Sequence, residues 1–356
     1  MIPVYKPYLN GLTDSAIDAI NSGWISNHGK YLDLASHLLR EKIGAKFCIL
    51  TANGTLATEA LFVALKWKHP HVKKIYIPDH CFIAPYNCAL KYFDRENIFV
   101  VPIHHETLNM DDSCLDKIEK NSALVVVHNI GFPVDVPKIS AARPDLIILE
   151  DNCEGFCGKY GGNLPTGGFP GTLCSSLSFY ANKNITTGEG GAFLTNDEEI
   201  YHHIKKVYSH GMTTTRYVHD VEASNWRMTN VQAGFLYDAL KNLDKILEMK
   251  QRVWKAYDSC LNFRRPRESE GCQEARWMYC VILDTEKSFS EVEKIAASHG
   301  VEIRPFFYSV AQHTHLKDLQ MMGRAEKLRG LPIMLPSHPE LTLADVERVC
   351  EMLRSI

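Results

Sequence analysis

The 356-residue sequence predicts an α/β protein, a mostly parallel sheet covered by helices on both sides, with a small C-terminal α+β domain. Three observations carry this. Residues 123–128 (ALVVVH) and 146–150 (LIILE) are nearly continuous apolar runs, the mark of parallel strands buried on both faces. Strand-like and helix-like segments alternate from residue 47 to about 195. At this length the chain exceeds what one hydrophobic core usually serves, so two domains are expected, 1–240 and 241–356.

In chain order, an extended arm with Pro3 and Pro7 leads into an amphipathic helix carrying Leu12, Ala16, Ala19 and Ile20. The loop Trp24-Ile25-Ser26-Asn27-His28-Gly29 follows, either lining a pocket or packing its tryptophan. A helix over 31–43 stops at Gly44. Strands are expected at 47–50, 74–77, 98–102, 123–128, 146–150, 175–180 and 191–195, with helices over 56–67, 84–91 and 111–120 between them. A helical tract from Thr229 to Leu261 bridges to the second domain. There, strands at 277–283 and 301–304 flank a helix over 290–298 with Ser290 and Glu293 at capping-box spacing, and Thr342 caps the last helix.

Composition narrows the function classes. The chain is 45% hydrophobic and 23% charged with a net charge of −3, which argues against nucleic acid as a partner. No apolar run approaches a membrane span and the N-terminus lacks the regions of a signal peptide, so a cytoplasmic protein is expected. Eleven cysteines without a CxxC pair suggest neither a disulfide framework nor a zinc site, and the scattered histidine pairs suggest no metal either.

Three features fall at the carboxyl ends of expected parallel strands, where ligands gather in such sheets. The first is Asn53-Gly54-Thr55, where a strand meets a helix: free N–H groups, a glycine permitting close approach and a hydroxyl suit a phosphate. The second is Asp151, read either as a helix-capping aspartate or as the partner of a protonated ring nitrogen. The third is the stretch Ser178 to Gly191, SFYANKNITTGEGG, which sets Lys183 among Phe179, Tyr180 and Ala181. That lysine is either a solvated turn residue or a partly desolvated amine suited to Schiff-base chemistry. Gly188-Glu-Gly190-Gly191 does not match GxGxxG and precedes a strand, so a dinucleotide fold is excluded. A phosphate cradle, an aspartate for a ring nitrogen and a lysine for an aldehyde together meet the needs of pyridoxal 5′-phosphate.

At these residues the chain resembles the fold-type-I sugar-nucleotide aminotransferases. The likeness runs through Lys6-Pro7, Ser22-Gly-Trp-Ile-Ser26, Asn53-Gly-Thr55, Glu150-Asp151-x-x-Glu154, Ser178-Phe-x-x-Asn182-Lys183, Thr187-Gly-Glu-Gly-Gly191 and Asn225-Trp-Arg-Met228. It implies a seven-stranded-type sheet and a homodimer with active sites at the subunit interface. It implies that Lys183 holds the cofactor as an internal aldimine and later shuttles a proton, with pyridoxamine phosphate as the alternate form, and that Asp151 keeps the pyridine nitrogen protonated. Gly54, Thr55 and Ser178 match phosphate ligands, Phe82 the aromatic stacked on the ring, Glu154 the residue near its phenolic oxygen, and Asn225 an asparagine reaching the neighbouring subunit's phosphate. Trp24, Ser26, Asn27, Arg227 and Arg304 are candidates for the sugar nucleotide, whose diphosphate favours arginine forks. Where the family often has a histidine near position 311, this chain has Ala311.

The activity implied is transfer of the amino group of L-glutamate to a nucleotide-linked 4-keto-6-deoxyhexose, as in perosamine or viosamine synthases. Lys183 favours this over the related sugar dehydratases, in which histidine replaces the lysine. A 3-keto sugar-nucleotide substrate, an amino-acid-directed enzyme of the same fold and a non-catalytic binding protein are the alternatives.

Overall fold

The computed structural model describes residues 1–260, 262–323 and 328–356, so the expected helix end at Leu261 lies outside the described residues. Two short helices, α1 (Asp14–Asn21) and α2 (Lys30–Ile43), follow the N-terminal arm. Gly44 ends α2 with a positive φ of 81°, its N–H reaching back to the Arg40 carbonyl, as its sequence position suggested. Then come β1 (Phe47–Thr51), α3 (Gly54–Lys68), β2 (Ile75–Pro78), α4 (Ala84–Ala89), β3 (Ile98–Val101), β4 (Ala123–Val127), α5 (Val136–Ala142), β5 (Ile147–Asp151), β6 (Cys174–Ser178), β7 (Gly191–Thr195) and α6 (Glu198–Val207). The chain continues through α7 (Asn230–Lys241), α8 (Leu243–Cys260), β8 (Tyr279–Leu283), α9 (Phe289–Ser298), β9 (Arg304–Pro305), β10 (Gln320–Met321), β11 (Leu331–Leu335) and α10 (Leu343–Arg354).

Seven of these strands form the expected mostly parallel sheet, in the order β1-β7-β6-β5-β4-β2-β3, and the two-residue β10 adds an eighth at the edge beside β3. Only β7 runs against its neighbours, so β1, β2, β4, β5 and β6 all end on one edge. The central strands β4 and β6 are buried at every residue because helices cover both faces. On one side α3 packs on β6 and β7, burying Ala60, Leu61, Ala64 and Leu65 against Ile49, Val125 and Phe193. On the other, α2 and α7 bury Leu39, Ile43, Leu236 and Leu240 against Leu50, Leu177 and Leu194.

The second sheet is a three-stranded antiparallel one, β8-β11-β9, covered by α8, α9 and α10 through Trp254, Tyr257, Val292 and Val349. The chain between β9 and β11 leaves it to give β10 to the large sheet, burying Val310, Leu316 and Leu319 in the large sheet's core.

Several local expectations are corrected. Residues 111–120 form no α-helix but a 3-10 turn over Asp112–Lys117, in which Cys114 alone is buried, too little apolar surface to hold a longer helix. The tract from Thr229 breaks at Asn242, whose amide donates to the Asp238 carbonyl and so ends α7. The capping box of α9 is Ser288 with Glu291, not Ser290 with Glu293; that register turns Val292 and Ala296 inward. The expected strand at 301–304 is reduced to a single bridge between Val301 and Ile2 and the short β9. β11 was not foreseen. Thr342 does cap α10, in a box with Asp345.

Candidate active site

β1 ends at Thr51, and Asn53 caps α3 by accepting the Leu56 N–H at 3.0 Å. Gly54 and Thr55 therefore stand in the first turn of a 15-residue helix whose N-terminus faces the sheet's carboxyl edge. Gly54 lies against Ser178, the last residue of β6: a Cβ there would sit 2.7 Å from Ser178 Cβ and 2.8 Å from its Oγ. Gly191, opening β7, lies as close to the same turn, where a Cβ would fall 2.5 Å from the Asn53 carbonyl oxygen. The glycine cluster thus does more than tighten the lysine loop: Gly191 lets β7 approach the helix cap.

Asp151, at the end of β5, is 5% exposed. Its Oδ1 accepts the Cys153 N–H at 3.1 Å and its Oδ2 a long 3.5 Å bond from the Thr58 hydroxyl. Ser176 Oγ stands 3.1 Å from that hydroxyl. Two donors, one of them distant, leave acceptor capacity on a buried carboxylate, the condition in which a ring N–H is welcome. The capping alternative fails, since Asp151 lies inside a strand and no helix follows it directly.

Lys183 is nearly enclosed, its side chain 14% exposed, which removes the solvated-turn alternative. Its Nζ lies 3.7 Å from Glu154 Oε1 and 4.1 Å from the centroid of the Trp277 ring. The indole is fixed in turn: Trp277 Nε1 donates to the Asn182 carbonyl at 2.8 Å. Glu154 accepts the Ile130 N–H on Oε2 at 2.8 Å, and burial pushes its carboxyl up to about 7 although the Lys183 charge and that N–H pull the other way.

Phe82 follows β2 on the same edge, half exposed and edge-on to Phe307 at 6.2 Å, so it is not a core residue. Arg227 pairs by its backbone with Thr51, beside the α3 cap; its guanidinium binds Asn225 Oδ1 at 2.8 Å and His210 Nε2 at 3.1 Å and meets no carboxylate in these bonds. The loop of Trp24, Ser26 and Asn27 is pinned to α7, because Asn230 donates to the Trp24 carbonyl from its side chain and to the Ser26 carbonyl from its backbone. Trp24 is 61% exposed. Arg304 pairs with Glu302. Among the described residues, no hydrogen bond or ion pair joins Trp24, Ser26, Asn27 or Arg304 to Lys183 or Asp151. Direct contacts join Gly54 to Ser178 and Lys183 to Glu154, and Asp151 pairs in the sheet with Ser176, two residues before Ser178.

Residues 11–354 match the DegT/DnrJ/EryC1/StrS aminotransferase family. The chain belongs to that family. The aminotransferase is 31% identical over 365 residues to GDP-perosamine synthase of Escherichia coli O157:H7, covering 99% of this chain and 97% of that protein. GDP-perosamine synthase of Vibrio cholerae is 27% identical, with 100% and 99% covered. Among solved structures, GDP-4-keto-6-deoxymannose-3-dehydratase with bound GDP-perosamine superposes with a TM-score of 0.87 at 20% identity, covering 99% of this chain and all of that one. The Helicobacter pylori aminotransferase of pseudoaminic acid biosynthesis gives 0.85 at 22%, covering 99% and 98%. At those identities the superpositions show the fold.

A dehydratase of the same fold has been solved with bound PLP, and the residues present here fit that cofactor, pyridoxal 5′-phosphate. The under-satisfied Asp151, the enclosed amine of Lys183 and the Gly54–Ser178 cradle at a helix N-terminus match its ring nitrogen, aldehyde and phosphate.

Three contributors were not singled out from the sequence. Trp277 was read only as the start of a strand. Thr58 and Ser176 fall inside the expected helix and strand without a motif to mark them; for Ser176 alone, strand alternation with Leu177 signals a side chain on the opposite face. On the back of β5, Glu150 takes bonds from the Tyr160 hydroxyl and the Gly167 N–H, both at 2.6 Å, with His128 Nε2 at 3.0 Å. That network anchors the strand end that carries Asp151. Among the described residues no group of three or more His, Cys, Asp or Glu stands where it could hold a metal, and no helix is long and apolar enough to cross a membrane.

Proposed function

We propose that this aminotransferase moves the amino group of L-glutamate to a nucleotide-linked 4-keto-6-deoxyhexose, giving a 4-amino-4,6-dideoxy sugar nucleotide such as perosamine. The observation that carries this is the end-to-end match to two GDP-perosamine synthases in a chain that keeps an enclosed lysine at position 183. A third relative, from Campylobacter jejuni, is a transaminase named for a UDP-linked 4-amino-4,6-dideoxy sugar.

The cofactor supplies an aldehyde to carry the amine and a ring that accepts electrons from the substrate carbon. The chain's residues do the rest. Lys183 would hold the aldehyde through its enclosed amine and serve as the base that moves a proton at the reacting carbon; Asp151 would keep the ring nitrogen protonated. Gly54, Thr55 and Ser178 would hold the phosphate at the N-terminus of α3, and Phe82 and Glu154 would hold the ring. Asn225 would reach the phosphate held by a second subunit, the proposed working form being a homodimer with shared sites. Arg227, Arg304 and the Trp24–Asn27 loop take the sugar nucleotide, and among the described residues no carboxylate bonds Arg227 to compete with a diphosphate.

The chain divides at 240/241 into a cofactor domain and a small domain. The break at Asn242 and the separate three-stranded sheet support that division, with the segment from Val310 to Met321 returning to pack on the large sheet. The cytoplasm, where nucleotide sugars and glutamate occur together, is its place. Incubation with glutamate and a panel of 3-keto and 4-keto nucleotide sugars, with products read by mass and NMR, tests the reading. An amine at C4 supports it; no reaction with any member of the panel contradicts it.

A further inference from the structure

A buried carboxylate outside the cofactor cluster joins two distant parts of the chain. Asp79, the first residue after β2, is 1% exposed. Its Oδ1 accepts the Val310 N–H at 2.7 Å and its Oδ2 the Ser309 hydroxyl at 3.0 Å, across more than 200 residues of sequence. His80 Nδ1 lies 3.0 Å from the same Oδ2. Two ring contacts run alongside: His80 stacks on Phe306 at 6.1 Å and Phe82 meets Phe307 edge-on. The partner segment is the stretch that leaves the small sheet at Pro305 and sinks Val310 into the large sheet's core.

The loop that Asp79 opens is itself wired to the site. The His80 carbonyl accepts from Asn129 Nδ2 at 3.1 Å, and the next residue, Ile130, gives its N–H to Glu154 beside Lys183. A carboxylate with two hydrogen-bond donors and almost no exposure fixes its surroundings, because losing it leaves the buried Val310 N–H without an acceptor and the partly buried Ser309 hydroxyl without one for its proton. The 3.0 Å His80 contact is not a hydrogen bond.

We propose that Asp79 is a positioning residue for the second substrate: it locks the Phe306–Ala311 strap onto the loop carrying Phe82, so that Phe307 and the half-exposed Tyr308 stand fixed at the mouth of the site. This rests on the proposed reading of the reaction as two half-reactions, of which the sugar nucleotide, the larger substrate, needs the mouth. The Phe82 loop keeps independent anchors, the Asp79 N–H to the Val101 carbonyl at 2.8 Å and the His80 carbonyl to Asn129. Loss of the carboxylate therefore frees the strap first.

The test measures the two half-reactions separately in the holoenzyme for Asp79→Ala, Asp79→Asn and Ser309→Ala, with amide hydrogen exchange at Val310. Asp79→Ala should raise the KM for the keto-sugar nucleotide about tenfold while the glutamate half-reaction changes less than about threefold. Asp79→Asn, which keeps an oxygen for the Val310 N–H, should recover most of the loss. Ser309→Ala should move KM the same way by about twofold to threefold. Equal losses in both half-reactions, or no change in either, overturn the proposal. If wild type aminates no keto-sugar nucleotide, the functional reading fails on its own; unchanged Val310 exchange in Asp79→Ala refutes the lock whatever the substrate.

Discussion

Lys183 Nζ and Glu154 Oε1 stand 3.7 Å apart in a nearly closed space, yet burial still holds the Glu154 carboxyl up at about 7. The desolvation of the acid thus outweighs the attraction of its nearest cation. The lysine therefore faces an acid that is partly protonated at neutral pH and an aromatic ring.

A stability change with pH follows for the cofactor-free protein. With a folded value near 7 against 4.5 for an ordinary glutamate, the folded state binds a proton between those pH values that the unfolded chain has released. Stability therefore falls as pH rises through that window, and the penalty is complete above about 7. Glu154→Gln should remove the slope, its melting temperature gaining on wild type from pH 4.5 to 7.

Lys250 titrates in the opposite sense. It is buried, has no carboxylate hydrogen-bond partner among the described residues, donates to the Trp277 carbonyl at 2.9 Å and the Ser337 carbonyl at 3.3 Å, and burial lowers its amine to about 7. Between pH 7 and the usual 10.5 the unfolded chain holds a proton that the folded protein lacks, so stability rises with pH across that range. Lys250→Met strands two carbonyls, at about 1 to 3 kcal/mol each. Urea melts at pH 7 and 9.5 should nevertheless show that the variant has lost the rise seen in wild type.

Trp277 is expected to matter for turnover out of proportion to its distance in sequence from Lys183. Trp277→Leu removes the ring under the amine and the donor to Asn182, and kcat should fall about tenfold, the ~1.4 kcal/mol expected of a desolvated cation–π contact. Trp277→Phe, which keeps a π face, should lose less.

Gly54→Ala probes the phosphate cradle. The added methyl meets Ser178 at 2.7 Å, which pushes β6 and α3 apart where the phosphate sits. Cofactor affinity, read by fluorescence titration, should weaken about tenfold or more, with little change in far-UV circular dichroism.

Lys183, Asp151 and the Asn53–Thr55 turn could be read from the sequence because each follows or ends a segment whose strand character is local, and their side-chain types state their chemistry. Trp277 and Asp79 could not. Trp277 reaches Asn182 across 95 residues and Asp79 reaches Val310 across 231, and nothing near either residue marks the partner. The cap of α9 was misplaced for a different reason: Ser288/Glu291 and Ser290/Glu293 share one spacing, and only the burial of Val292 and Ala296 selects between them. The edge strand β10 was hidden because two residues carry no periodicity.

The most direct test of the account gives the holoenzyme ¹⁵N-labelled L-glutamate and a GDP-linked 4-keto-6-deoxyhexose, with Lys183→Ala alongside. The account predicts that wild type places the label on C4 of the sugar and that the variant, though it still binds cofactor, transfers none. Label transfer at the wild-type rate by Lys183→Ala would contradict it.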